Sequence, residues 1–142
     1  MLLEGRDKMI ERVHQHIMTE LQLVTRTDTV FALTAIILNL LILGINSAIS
    51  NASREKMNVF IAMFIFVFLT IVVNLVVISG LLKGKQTRTR LLNGLLKMYK
   101  DQGVEGYYDP AILLNYNARY NLFILAVAFV GLIAIVVPFV IR

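Results

Sequence analysis

The chain has 142 residues, 58% of them apolar and 16% charged, with a net charge of +5 and a mean hydropathy of +0.75. That balance excludes an ordinary water-soluble globule, which is less apolar and more charged, and excludes disorder, which lacks apolar surface to bury. The absence of cysteine excludes a disulfide framework, a thiolate metal site and a cysteine nucleophile.

Residues 1–28 predict an amphipathic helix. Ile10, Val13, Ile17, Leu21 and Val24 recur at helical spacing, and Glu4 with Lys8 forms an i,i+4 pair. Its balance of basic and acidic residues lacks the Lys/Arg-rich face of a membrane-surface anchor, so packing against protein is the expectation. The polar stretch Thr25 to Thr29 fits a hinge in which Asp28 caps the next helix, and equally fits one continuous helix. Residues 29–50 are the first predicted transmembrane helix, carrying the run Val30 to Ile49. A short outer loop, 51–58, holds Asn51-Ala52-Ser53, an N-glycosylation sequon pressed against the membrane. Residues 59–82 are the second span.

Residues 83–109 follow as a basic helical segment. Within it, Thr87 to Lys100 shows Leu91, Leu92, Leu95, Leu96 and Tyr99 on one broad face before Gly103 and Gly106 break the pattern. Asp109-Pro110 reads as a helix start, Asp as N-cap and Pro at the first position. Residues 110–142 then form a long helix that ends in the third span, Leu122 to Ile141. The three runs hold 20, 24 and 20 residues without a single Asp, Glu, Lys, Arg or His. At ~1.5 Å per residue each reaches across the hydrocarbon core.

Basic residues set the expected orientation. Arg6, Lys8, Arg12 and Arg26 precede the first run, and Lys83, Lys85, Arg88, Arg90, Lys97, Lys100 and Arg119 lie between the second and third. The opposite side has only Arg54, Lys56 and Arg142. The expected protein is therefore an all-α integral membrane protein with three transmembrane helices, N-in and C-out, and a small helical cytoplasmic layer. No cleavable signal peptide is expected, because the first 29 residues mix both charge signs and the first apolar run is too long for one.

The spans lack charge but contain amides. Ala32, Ala35, Asn39, Leu43, Asn46 and Ser50 form one stripe; Met63, Val67, Thr70, Asn74, Ile78 and Leu81 form another. In antiparallel helices Asn39 and Asn74 lie at one depth, ~14 Å from the inner end, within reach of a mutual hydrogen bond. Ile124, Ala128, Gly131, Ala134 and Pro138 give the third span a side of mostly small residues. Asn39, Asn46, Ser50, Thr70 and Asn74 are the candidate polar stripe, serving either to join helices or to line an aqueous path. Lys83, Lys85, Arg88 and Arg90 are a candidate patch for anionic lipid or ligand, and equally are the positive-inside signal. All five tyrosines fall in the inner segment, placed for anchoring and packing or for stacking on a ligand.

The uncharged spans argue against proton relays, ion-coupled carriers and voltage sensors. No nucleophile elbow, phosphate loop or zinc spacing occurs, and Asp7, Glu11 and His14 alone make a poor metal site. No enzyme, no cofactor and no nucleic-acid partner is expected. The expected partners are the lipid bilayer, anionic inner-leaflet lipids, and further copies of the chain or a partner membrane subunit, since three spans make a thin bundle.

Arg26-Thr27-Asp28-Thr29 entering the first span, Asn39 within it, and Tyr116 to Tyr120 leading into the third carry a resemblance. The layout resembles the small helical transmembrane effectors of bacterial nucleotide-signalling antiphage systems, the Pycsar transmembrane and SLATT-type proteins. The resemblance implies an oligomer that disrupts the inner membrane when triggered. The expected function is an oligomeric channel or membrane-disrupting effector in a bacterial or archaeal cell membrane. The alternative is an accessory subunit that docks a larger membrane complex through its amphipathic helix.

Overall fold

A computed structural model describes residues 1–107, 109 and 111–141, with the side chains of residues 2, 51, 112 and 113 left aside. Three helices make up nearly all of it: α1, Leu2–Ser50; α2, Met57–Asp101; and α3, Ala111–Ile141. All three are long and apolar enough to cross a membrane. They run antiparallel in sequence, up, down and up. At ~1.5 Å per residue, α1 is ~73 Å long and α2 ~67 Å, so both extend well beyond their uncharged runs. These extensions, with the first turns of α3, form a stalk continuous with the apolar bundle.

Of the two readings left open at Thr25 to Thr29, the continuous helix is the one observed. The threonines are absorbed without a break, because Thr25 Oγ1 donates to the Leu21 carbonyl at 2.8 Å and Thr29 Oγ1 to that of Thr25 at 2.9 Å. Asp28 is not a cap but a buried residue of the helix interior. Likewise α2 passes from its apolar run through Thr87 to Lys100 without interruption. The stalk is thus an extension of the long apolar helices.

The connections are short. A 3-10 turn, Asn51–Arg54, and an extended Lys56 join α1 to α2, tightened by Ser53 Oγ donating to the Ser50 carbonyl at 2.6 Å. The Asn51 side chain of the sequon lies outside the described residues. At the far end of α2, Gly103 adopts φ 69°, a left-handed conformation that favours glycine. The Ala111 N–H donates to Asp109 Oδ1 at 2.9 Å, so Asp109 caps α3 as its sequence suggests. Pro110 lies outside the described residues.

The bundle is held along one seam per helix. In α1 the buried positions include Asp28, Ala32, Ala35, Asn39, Ile42, Asn46 and Ser50; in α2, Met63, Val67, Thr70, Asn74, Val77 and Leu81. In α3 they are Tyr120, Val127, Gly131, Ala134 and Pro138. Alternating steps of three and four mark a coiled-coil seam of period 3.5. This corrects three members of the expected stripes. Ile42, Val77 and Val127 take the interior positions, while Leu43 and Ile78 are half-buried and Ala128 is exposed. The stripes drawn at 3.6 residues per turn drift off the seam that supercoiling maintains.

Two apolar clusters flank the junction between bundle and stalk. Ala32, Ala35, Val77, Leu81 and Val127 pack in the bundle; Leu21, Leu92 and Leu95 pack in the stalk, with Ile17, Tyr99 and Tyr116 against them. Leu21 and Ile17 of the amphipathic stripe therefore pack against α2 of the same chain, Ile10 and Val24 are half-buried, and Val13 is exposed.

Candidate functional site

The polar residues of the seam fall into layers, each fitted by a residue of another helix. In the central layer, Asn39 Nδ2 donates to Asn74 Oδ1 at 2.9 Å and Asn74 Nδ2 returns to Asn39 Oδ1 at 2.8 Å. Asn74 Nδ2 also donates to the Thr70 carbonyl at 2.7 Å, while Thr70 Oγ1 turns back to the Phe66 carbonyl at 2.9 Å. Gly131 of α3 is what lets this pair fit. A Cβ there would lie 2.6 Å from Asn74 Oδ1.

At the hairpin end, Ser50 Oγ donates to the Pro138 carbonyl at 2.7 Å. That bond ties the end of α1 to the last turn of α3. Between these layers sits Asn46. It is 0% exposed, and neither Nδ2 nor Oδ1 has a hydrogen-bond partner among the described residues. Counting from the Asn39–Asn74 pair, the antiparallel register sets Asn46 opposite Val67, which offers nothing to an amide.

The expectation that a three-helix chain is too thin to bury this stripe by itself is corrected by these burials. Asn39, Asn46, Ser50 and Thr70 are all 0% exposed and Asn74 is 8% exposed. The chain's own α3 closes over them, because Gly131, Ala134 and Pro138 let it approach closely. The outer face of the apolar runs is made instead of large side chains such as Ile37, Leu41, Phe68 and Phe129.

The third polar layer lies where the uncharged runs begin. Tyr120 donates its hydroxyl to Asp28 Oδ2, and Gly84 of α2 makes room, since a Cβ there would press on the Asp28 carboxylate. Arg88, one turn beyond Gly84, places its guanidinium 4.0 Å over the Tyr116 ring and 5.8 Å from that of Tyr120. Asp28 and Tyr120 both lie outside the uncharged runs. Burial raises the Asp28 carboxyl above its ordinary value, opposed by the Tyr120 hydrogen bond and the Arg88 charge. The Tyr120 hydroxyl is pushed up to about 12, first by burial and then by its bond to Asp28.

The four basic residues expected to act as one patch do not face one way. Lys83 and Arg90 are exposed, Lys85 Nζ donates to Asn121 Oδ1 of α3 at 2.8 Å, and Arg88 turns inward onto the tyrosines. In their place Arg26, Arg88 and Arg119 line two adjoining cavities. Arg26 and Arg119 are distant in sequence from the Lys83–Arg90 cluster, and no local pattern marks them. The one available signal was the position of each just before an apolar run.

Further out on the stalk, His14 Nε2 and the Tyr99 hydroxyl are hydrogen-bonded at 3.0 Å, with the rings tilted at 41°. No group of three or more His, Asp or Glu fit to hold a metal ion occurs among the described residues. No family model, curated protein or solved structure matches the chain.

Proposed function

We propose that the chain is a subunit of an oligomeric membrane protein of the channel or membrane-disrupting effector type, and that the arrangement described above is its closed state. The proposed setting is a bacterial or archaeal cell membrane, with the N-terminus and stalk inside and the C-terminus outside. The excess of basic residues flanking the stalk side of the runs supports that orientation.

The observation that carries the reading is Asn46. A buried amide without a partner costs about 1–3 kcal/mol, and a leucine in its place would seal the bundle more firmly. Together with Asn39, Asn74, Thr70 and Ser50 it gives each subunit a polar seam shut inside an apolar exterior. Separation or rotation of the helices would bring these groups to face water between subunits. The unbroken rods of α1 and α2 support a mechanical link, because a displacement of the stalk is carried by the same hydrogen-bonded backbone that enters the bilayer.

Ion flux through liposomes reconstituted with the full chain tests this. The double variant Asn39→Leu, Asn46→Leu is expected to insert and assemble but to lose the flux. Unchanged flux with assembly intact would overturn the proposal.

A further inference from the structure

Two cavities adjoin where the uncharged runs begin. The larger, about 420 Å³, takes in Arg26, Leu21 and Leu92; the smaller, about 230 Å³, has Arg119 and Phe123 on its walls. Thr25, Arg88 and Tyr116 line both, so the two make one groove. Three arginines line it from three helices against one acidic side chain. The acidic group on the groove is Asp28, and Tyr120 donates its hydroxyl to Oδ2 of that carboxyl. The one ion pair among the described residues, Lys8–Glu4, lies far along the stalk.

Arg88 is also held ready. The Tyr116 face fixes its guanidinium, and its Nε is buried with no hydrogen-bond partner. A buried donor in that state is costly and calls for an acceptor. The Thr25 and Thr29 hydroxyl protons are already given to backbone carbonyls, and the charged donors on the groove are the guanidinium groups. Planar guanidinium forks match the oxygens of phosphate better than those of any neutral group. Leu21, Leu92 and Phe123 add apolar wall on either side of the charges.

We propose that this groove binds a phosphate ester anion, with its oxygens between Arg88 and Arg119 and with Arg26 lining the larger cavity. The same chemistry is offered by the headgroup of an anionic phospholipid, with Phe123 toward its chains, and by a small soluble phosphate. The site is distinct from the exposed Lys83 and Arg90, and it does not depend on whether the bundle conducts.

Native mass spectrometry of the delipidated full chain in detergent tests the proposal. The probes are phosphatidylglycerol, phosphatidylcholine and glycerol 3-phosphate. Phosphatidylglycerol is expected to be retained over phosphatidylcholine, and Arg119→Gln and Arg88→Gln each to weaken retention about tenfold. Arg119 is exposed, so its variant reports on binding even where Arg88→Gln disturbs folding. Lys83→Gln and Arg90→Gln are expected to have no effect. Competition by glycerol 3-phosphate at matched concentration would identify the soluble ester as the ligand; retention of the lipid alone would identify the headgroup. The proposal is overturned if neither probe binds in preference to phosphatidylcholine. It is also overturned if the Lys83 and Arg90 variants lose as much binding as those of Arg119. Absence of flux from the unsubstituted chain, with this binding intact, would count against the channel reading alone.

Discussion

Asn39 and Asn46 are the same residue type one heptad apart, and their surroundings give them opposite energetic signs. Asn39 shares two hydrogen bonds with Asn74, so Asn39→Leu leaves the Asn74 Oδ1 without a donor, its Nδ2 keeping the Thr70 carbonyl, and is expected to lower stability by about 1–2 kcal/mol. Asn46 has no partner, so Asn46→Leu is expected to leave stability unchanged or raise it by about 1 kcal/mol. Unfolding in detergent checks the pair; equal losses would mean that Asn46 is satisfied. The third helix enters the same layer through Gly131. Gly131→Ala pushes a methyl group onto the Asn74 amide and is expected to destabilise by about 1–3 kcal/mol, read as a lowered Tm. The amide pairing was legible in the sequence from depth alone, because two antiparallel helices place residues equidistant from one end opposite each other. The need for Gly131 was not, because it depends on which face α3 presents.

At the scale of elements, α1 and α2 each serve two environments with one continuous seam. The stalk holds together through Leu21, Leu92 and Leu95, and the apolar half through Ala32, Ala35, Val77, Leu81 and Val127. The Asp28–Tyr120 layer separates them. Leu95→Ala is expected to remove about 2–4 kcal/mol of packing from the stalk. Amide exchange should then rise in residues 14–24 and 88–99 while the helices around Asn39 and Asn74 stay protected. Faster exchange throughout would mean that the two halves unfold as one unit. The helices themselves were plain from their periodicity. Their continuity was not, because Thr25 to Thr29 carries residues that cap helices as readily as they sit inside one, and the choice fell to the tertiary partners of Asp28.

For the whole molecule, the proposed orientation sets the stalk and the hairpin on opposite sides of a bilayer. The chain has no cysteine, so single cysteines report directly. Arg90→Cys is expected to react with an impermeant thiol reagent only from the inner side of sealed vesicles, and Arg54→Cys only from the outer side. Labelling of both from one side would overturn the topology. The apolar outer face and the shut polar interior describe a bundle whose exposed residues suit lipid or other apolar helices. Among the described residues its charged groups are confined to the stalk, with the connection at its end, and the hairpin.

By itself the sequence determined the number, the lengths and the apolar character of the three uncharged runs, because these follow from local composition. It also determined that the amides of the first two runs share a depth. Only the tertiary structure decided which residues face inward, since a supercoiled seam of period 3.5 selects Ile42, Val77 and Val127 where a straight helix favours Leu43, Ile78 and Ala128. It decided that Asn46 has no partner, which depends on Val67 lying opposite it. It decided, too, that three arginines from three helices share one groove. Convergence of that kind depends on the relative rotation of packed helices, and no spacing along a single helix records it.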